Sequence, residues 1–422
     1  EKTPKLKEAV VALLPHVTTK AESLEETDPF TPQHIANLLW ALAKLVDNGL
    51  ELEKTPKLKE AVVALLPHVT TKAESLEESD PFTPQHIANQ LWALAKLVEN
   101  RWKLEKTSKL KKAVVALLPH VQTKAESKEE KDQFKPQEVA NMIWAVTKLG
   151  EAIELKVVKS TLASLVGKIS ENTPLSQGRW MSLWGVMAFC ARCYLTYGKN
   201  NKNSLEKHIG ELFFLLGNTP SGNTEDQSII AMVTSWLGIA CPVVPYYQTI
   251  ISQSQSTFRD QLRSSLPSLQ IEEEKSLSLL PPVDLLLPDY NMVIDVQGPS
   301  HYVGGDFKTR NGSTLLKIAL YKKLGFEFIE IPVNKLDNQY SIQRVIEQIK
   351  TKLAILPEAH GPVSPDSSEW DAGEAYFTAD EGWQFSDDCY FTAEEYLEEQ
   401  TKKPKKRKRK RKKPVKTSPD IS

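Results

Sequence analysis

Apolar residues recur at helical spacing through the first 150 residues, and they recur in copies. In the opening segment Leu6, Ala9, Val10, Leu13, Leu14 and Val17 fall on one stripe, the mark of an amphipathic helix. Thr3 stands as its N-cap with Pro4 at the first helical position, and Pro15 is expected to bend or end it. A polar, acidic loop follows. Thr31 then caps a second helix that starts at Pro32, with Phe30 and Ile35 at the two positions of a hydrophobic staple. Ile35, Leu38, Leu39, Trp40, Leu42, Ala43 and Leu45 nearly surround this helix, which is more apolar surface than one partner covers. Phe82, Thr83, Pro84 and Ile87 repeat the device.

The copies are close. "PQHIANLLWALAKLV" at Pro32 returns 52 residues later as "PQHIANQLWALAKLV" at Pro84, and more loosely as "PQEVANMIWAVTKLG" at Pro136. Residues 1–52 and 53–104 are nearly identical and 105–150 form a shorter third copy, so stacked helix pairs are expected. Trp40, Trp92, Trp144, Trp184 and Trp236 step by 52, 52, 40 and 52 residues, which extends the array to about residue 250 with two degenerate closing units. The tryptophans are assigned to the core between units. Asn37, Asn89 and Asn141 have two readings: a hydrogen-bonded ladder between units, or a row facing a groove and a ligand. Leu38, Gln90 and Met142 are the positions at which units would differ in what they read.

The Asn-x-x-Trp-Ala helix resembles those of octotricopeptide-like and FASTK-type RNA-binding arrays. That resemblance implies single-stranded RNA along one face, with successive units meeting successive bases. Charge supports it unevenly, because the first unit is acidic and the third is net basic.

Beyond a Ser- and Gln-rich connection (251–280) the period changes from helical to alternating. Val283–Leu287 and Met292–Val296 read as a hairpin around the turn "PDYN". A helix with Ser313 as N-cap and Gly325 as stop leads to a strand ending at Pro332, a right-handed parallel crossover, and Ser341–Leu356 reads as a last helix. Asp295, Val296, Gly298, Pro299, Ser300, His301, Thr314, Leu315, Leu316, Lys317, Leu324, Gly325, Ile331 and Pro332 together resemble the RAP domain. The resemblance implies RNA binding or processing on a fold related to restriction-endonuclease-like nucleases. Asp284, ten intervening residues and Asp295-Val296-Gln297 match the spacing of that superfamily's Mg²⁺-holding D…(D/E)-x-K motif, with Gln297 where the lysine would stand. The plainer reading makes Asp284 an edge-strand acid and has Asp295 orient the His301 loop. His301 either serves as general acid or phosphate donor, or braces that loop. Lys317 is either a phosphate contact or a solvated helix lysine.

Composition adds the ends of the chain. The net charge of -1 conceals segregation: 357–401 is acidic and aromatic, and 402–422 carries a run including Lys405, Lys406, Arg407, Lys408 and Arg409. The arm is expected to be disordered and to engage protein partners, and the tail to attract RNA phosphates or serve as a nuclear-localisation signal. Four cysteines in 422 residues cannot make a disulfide framework, and Cys190 and Cys193 are assigned as buried helix thiols. The uncharged run from Gln227 to Phe258, which contains "SIIAMVTSWLGIACPVVP", is assigned to a buried helix, not a membrane span. The expected architecture is an α-helical repeat solenoid (1–250), a RAP-like α/β domain (281–356) and a disordered tail. Its expected function is RNA binding, with a Mg²⁺-dependent endoribonuclease or a non-enzymatic protein scaffold as alternatives. The expected location is the cytoplasm or nucleus of a eukaryotic or host cell. An organelle stays open, because the chain opens on Glu1 inside a repeat.

Overall fold

A computed structural model describes residues 3–23, 30–50, 54–75, 82–99, 107–172, 176–198, 204–216 and 224–355. The chain is mostly helical, with thirteen α-helices among these residues and one small mixed sheet towards the C-terminal end. The first eight helices are α1 (Thr3–Glu22), α2 (Pro32–Asp47), α3 (Pro56–Glu74), α4 (Pro84–Glu99), α5 (Thr107–Glu126), α6 (Pro136–Lys148), α7 (Leu155–Asn172) and α8 (Ser176–Tyr197). They lie in two rows: α2, α4, α6 and α8 pack in succession, and α1, α3, α5 and α7 pack alongside.

Local chemistry sets the helix starts. Thr31 Oγ1 accepts from the His34 N–H at 3.1 Å, and Thr83 Oγ1 from that of His86 at 3.2 Å. Of the two outcomes expected at Pro15, a bend or an end, the end does not occur, and Pro67 and Pro119 likewise lie inside their helices. In α3 the reason is visible: Leu65 and Leu66 before the proline and Val69 beyond it are all fully buried. Each such burial contributes about 1.5–3 kcal/mol, which offsets the roughly 3 kcal/mol cost of an internal proline. A second periodic link was not read from sequence. His68 Nε2 lies 2.6 Å from the Ala21 carbonyl and His120 Nε2 lies 2.7 Å from that of Ala73, so each unit ties off the helix end of the one before. The rings of Phe30 and Phe82 pack on these histidines.

Burial follows position in the row. Trp92, Trp144, Trp184 and Trp236 are buried as expected, whereas Trp40 is 43% exposed and Leu13 is 60% exposed, since among the described residues α1 and α2 pack against a neighbouring unit on one side only. The expected closing order is corrected. After α8 come α9 (Lys207–Leu216) and α10 (Thr224–Leu237), but α12 (Gly312–Lys323) takes the extensive contact with α8.

The sheet is built from β1 (Glu272–Lys275), β2 (Val283–Leu287), β3 (Met292–Gln297) and β4 (Glu327–Pro332), in that order. The first two pairings are antiparallel and β3–β4 is parallel, with α12 as the crossover. Asn291, at φ 45°, closes the hairpin. Residues 251–280 are more than a connection: they hold α11 (Gln253–Ser265) and β1. With α13 (Gln339–Ile355), α11 covers the sheet face formed by Leu285, Leu287, Ile294, Ile329 and Ile331. The other face, with Leu286, Val293 and Phe328, shares one continuous core with α12 and the helical rows. The N-cap of α12 is Asn311, whose side chain accepts from the Thr314 N–H, and not Ser313.

Two glycines set the junction between helices and sheet. A Cβ on Gly312 would lie 2.1 Å from the Thr147 carbonyl oxygen at the end of α6. Gly150, at φ +50°, would place one 2.3 Å from the Arg310 carbonyl. Through this close approach Glu151 N–H donates to the Arg310 carbonyl at 2.9 Å and Arg310 N–H donates back to Glu151 Oε2 at 2.9 Å. The C-terminus of α6 thus meets the N-terminus of α12, a favourable dipole arrangement.

Candidate functional site

On the α12 face of the sheet the alternation of β2 and β3 brings two acids together. The register pairs Leu285 with Ile294, and one step further places Asp284 across from Asp295. There the carboxylates carry the ladder on: Asp284 N–H donates to Asp295 Oδ1 at 3.2 Å, and Val296 N–H donates to Asp284 Oδ2 at 2.6 Å. Burial, then the neighbouring Asp295, push the Asp284 carboxyl up to about 7. Across the parallel pairing, Asp295 stands beside Glu330. Glu330 accepts from Tyr302 Oη at 2.6 Å and Arg310 Nε at 2.7 Å, and Arg310 also reaches Glu151 of the helical rows at 3.4 Å.

Of the two readings of Lys317, the solvated helix lysine does not hold. Its Nζ lies 2.7 Å from Asp295 Oδ2, with both side chains largely buried, so α12 delivers a cation where the β3 motif has none. Gln297, also on this face, is 1% exposed, and neither of its side-chain polar atoms has a partner. His301 is tied to the first turn of α12, since its carbonyl accepts from Asn311 N–H and from Thr314 Oγ1. The backbone of His301 thus holds its loop to α12, and its Nδ1 lies 3.4 Å from Thr314 Oγ1. Among the described residues no group of three or more His, Cys, Asp or Glu side chains is arranged for a metal. Asp284, Asp295 and Gln297 nevertheless supply hard oxygen donors, and Mg²⁺ characteristically binds through one or two carboxylates while keeping water. The unpartnered Gln297 amide is the observation that fits such an ion.

The even-numbered helices present a second constellation. At about 100° per residue, Gln33, Asn37, Trp40 and Lys44 share one face of α2. Gln85, Asn89, Trp92 and Lys96 do so on α4, and Gln137, Asn141, Trp144 and Lys148 on α6. Asn37 is exposed, and Asn89 and Asn141 are partly so. Among the described residues no hydrogen bond links these asparagines to one another; Asn141 Oδ1 accepts from Gln137 Nε2 at 2.9 Å within its own helix. The ladder runs instead through lysine. Lys44 Nζ lies 4.6 Å from the Trp92 ring centre, Lys96 lies 5.2 Å from that of Trp144, and Lys148 lies 5.1 Å from that of Trp184. Acids alternate with them: Lys96 pairs with Asp47 and Glu99, and Lys148 with Glu99. Gln90 and Met142 are fully buried and Leu38 partly so, which removes the first two from any surface a ligand could touch.

The row of lysines ends at the α/β module, where Lys148 Nζ donates to Ser313 Oγ at 2.8 Å, one helical turn before Lys317. Cys190 and Cys193 are buried free thiols, and burial raises both, Cys193 to about 11. No helix among the described residues is long and apolar enough to cross a membrane. The acidic arm and the basic tail with Lys405, Lys406, Arg407, Lys408 and Arg409 lie outside the described residues. No protein-family model matches the chain, and no curated protein matches it in sequence.

Proposed function

We propose that the chain is an RNA-binding protein in which the helix pairs act as a repeat solenoid and lay single-stranded RNA along α2, α4 and α6. In this reading a RAP-like α/β module at the end of that track binds or processes the strand. One observation carries it: amide pairs, Gln33 with Asn37, Gln85 with Asn89 and Gln137 with Asn141, recur at the same helical positions on consecutively packed helices and are at least partly open to solvent. Amides offer a donor and an acceptor together, which suits base edges. The lysines on this face are already matched by Asp47 and Glu99, so phosphate attraction falls to the third unit and the basic tail.

The test is fluorescence anisotropy of a labelled single-stranded RNA pool against the full chain. Replacing Asn37, Asn89 and Asn141 together by alanine is expected to weaken binding at physiological salt by about tenfold or more while circular dichroism stays unchanged. A parent chain that binds no RNA even at low salt overturns the reading.

A second reading, metal-dependent cleavage, is favoured by the unpartnered Gln297 beside Asp284 and Asp295. Bound Mg²⁺ would activate water and steady charge on phosphate. Asp284, Asp295 and Gln297 would hold the ion, and Lys317 would fix Asp295. The raised Asp284 carboxyl supplies a readout free of activity. Below about pH 4 the group is protonated folded and unfolded; between about 4 and 7 only the unfolded chain ionises it, so stability falls as pH rises and the penalty is complete above 7. Asp284→Asn is therefore expected to match the parent near pH 4 and exceed its stability by about 2 kcal/mol near pH 8, allowing for partial exposure. Millimolar MgCl₂ should raise the melting temperature of the parent at the higher pH and leave that of the variant unmoved. Equal shifts in both would remove the metal from this site.

A further inference from the structure

The outer faces of α2 and α4 carry the same side chains in the same order. Gln33, His34 and Asn37 on one are Gln85, His86 and Asn89 on the other. Over these two 16-residue helices the sequences differ at only two positions. One exchanges Asp47 for Glu99, and both acids hold Lys96. The other exchanges Leu38 for Gln90, and Gln90 is fully buried, its Nε2 directed at the Pro32 carbonyl 3.4 Å away in the neighbouring unit. The one difference in side-chain type therefore points into the packing between units. A ligand lying across these helices meets the same Gln and Asn amides twice, with Trp40 open beside the first pair and Trp92 covered beside the second.

The third helix departs from this pattern. Glu138 stands where the first two units have histidine, and it is buried with its carboxylate folded back onto the Lys135 N–H at 2.9 Å. Gln137 is committed to Asn141, so the amide pair of α6 is locked in one arrangement.

We infer that α2 and α4 select the same base, so that the preferred RNA carries one base repeated at two successive contacted positions, while the base facing α6 is chosen independently. The inference rests on the RNA-binding reading above and adds the composition of the ligand. The identity of the two amide pairs carries it, and the packing of α2, α4 and α6 in succession sets the order of the contacted positions. His34 and His86, on the same turn as each amide pair, add a ring on which the repeated base can stack.

The experiment is selection from a randomised single-stranded RNA pool by the full chain at moderate salt, followed by sequencing. The expected result is a motif in which one base recurs at two positions. Asn37→Ala and Asn89→Ala should each abolish the preference at one of the two, by about tenfold in affinity for the motif. Asn141→Ala should leave both intact and relax a third position. A motif with different bases at the Asn37 and Asn89 positions overturns the inference, as does retention of RNA without base preference, and in both cases RNA binding itself survives. Retention of no RNA overturns both readings. Since all three asparagines are at least partly open to solvent, an unchanged melting temperature for each variant separates lost contacts from lost folding.

Discussion

Replacing Gly312 by alanine is expected to destabilise the protein by about 3 kcal/mol, at the top of the range for forced overpacking. The added Cβ would sit 2.1 Å from a backbone oxygen of Thr147, and neither partner is a flexible side chain that can swing aside. Either α12 lifts from the end of α6 or the last turn of α6 unwinds. Both outcomes strain the bond from Lys148 to Ser313 and the exchange of bonds between Glu151 and Arg310. Thermal unfolding monitored by tryptophan fluorescence reads the effect, since Trp144 and Trp184 lie in this region of the core. Gly167 is the control: it lies inside α7 with no atom within 4 Å of an added Cβ, and its change to alanine should stabilise by about 0.5–1 kcal/mol. A Gly312→Ala chain as stable as the parent would show that the two helices do not meet in this way.

Changing Lys317 to methionine is expected to cost about 3 kcal/mol near neutral pH, because it leaves the Asp295 carboxylate buried without its cation. Asp295 is 2% exposed, and its other oxygen already accepts from the Asp284 N–H. The double variant Asp295→Asn with Lys317→Met should recover much of the loss, since no unmatched charge remains. Denaturant unfolding of parent, single and double variants measures this directly. A double variant no more stable than Lys317→Met would mean that the lysine acts through its packing and not through its charge.

How much of this was legible in the chain depends on which interactions are local. The caps at Thr31 and Thr83, the hairpin around Asn291 and the crossover through α12 follow from periodicity and turn chemistry within a few residues. Helix α11 escaped notice because only Phe258 and Leu262 give it an apolar stripe amid Ser and Gln, although its capping box, Ser252 with Gln255, was readable. Strand β1 is the charged run "EEEK", whose edge position rewards charge over alternation. Of the candidate site, the pairing of Asp284 with Asp295 followed from spacing on a hairpin, but the partner of Asp295 did not. Lys317 lies 22 residues further on. Its one signal was a lysine set among Leu315, Leu316 and Ile318 in a helix apolar nearly all round. The asparagine ladder failed for a related reason: lysine, four positions beyond each tryptophan, reaches across to the next ring, and the shorter amide stays on its own helix.

The histidine straps have an evolutionary corollary. His120 grips the carbonyl of Ala73 as His68 grips that of Ala21, so the histidine link between successive segments is made of the same parts. Excising residues 53–104 would bring His120 to Ala21 and Lys96's counterpart, Lys148, to Asp47, joining like to like. Genetic slippage in steps of 52 codons can thus lengthen or shorten the molecule's reach without inventing a new joint.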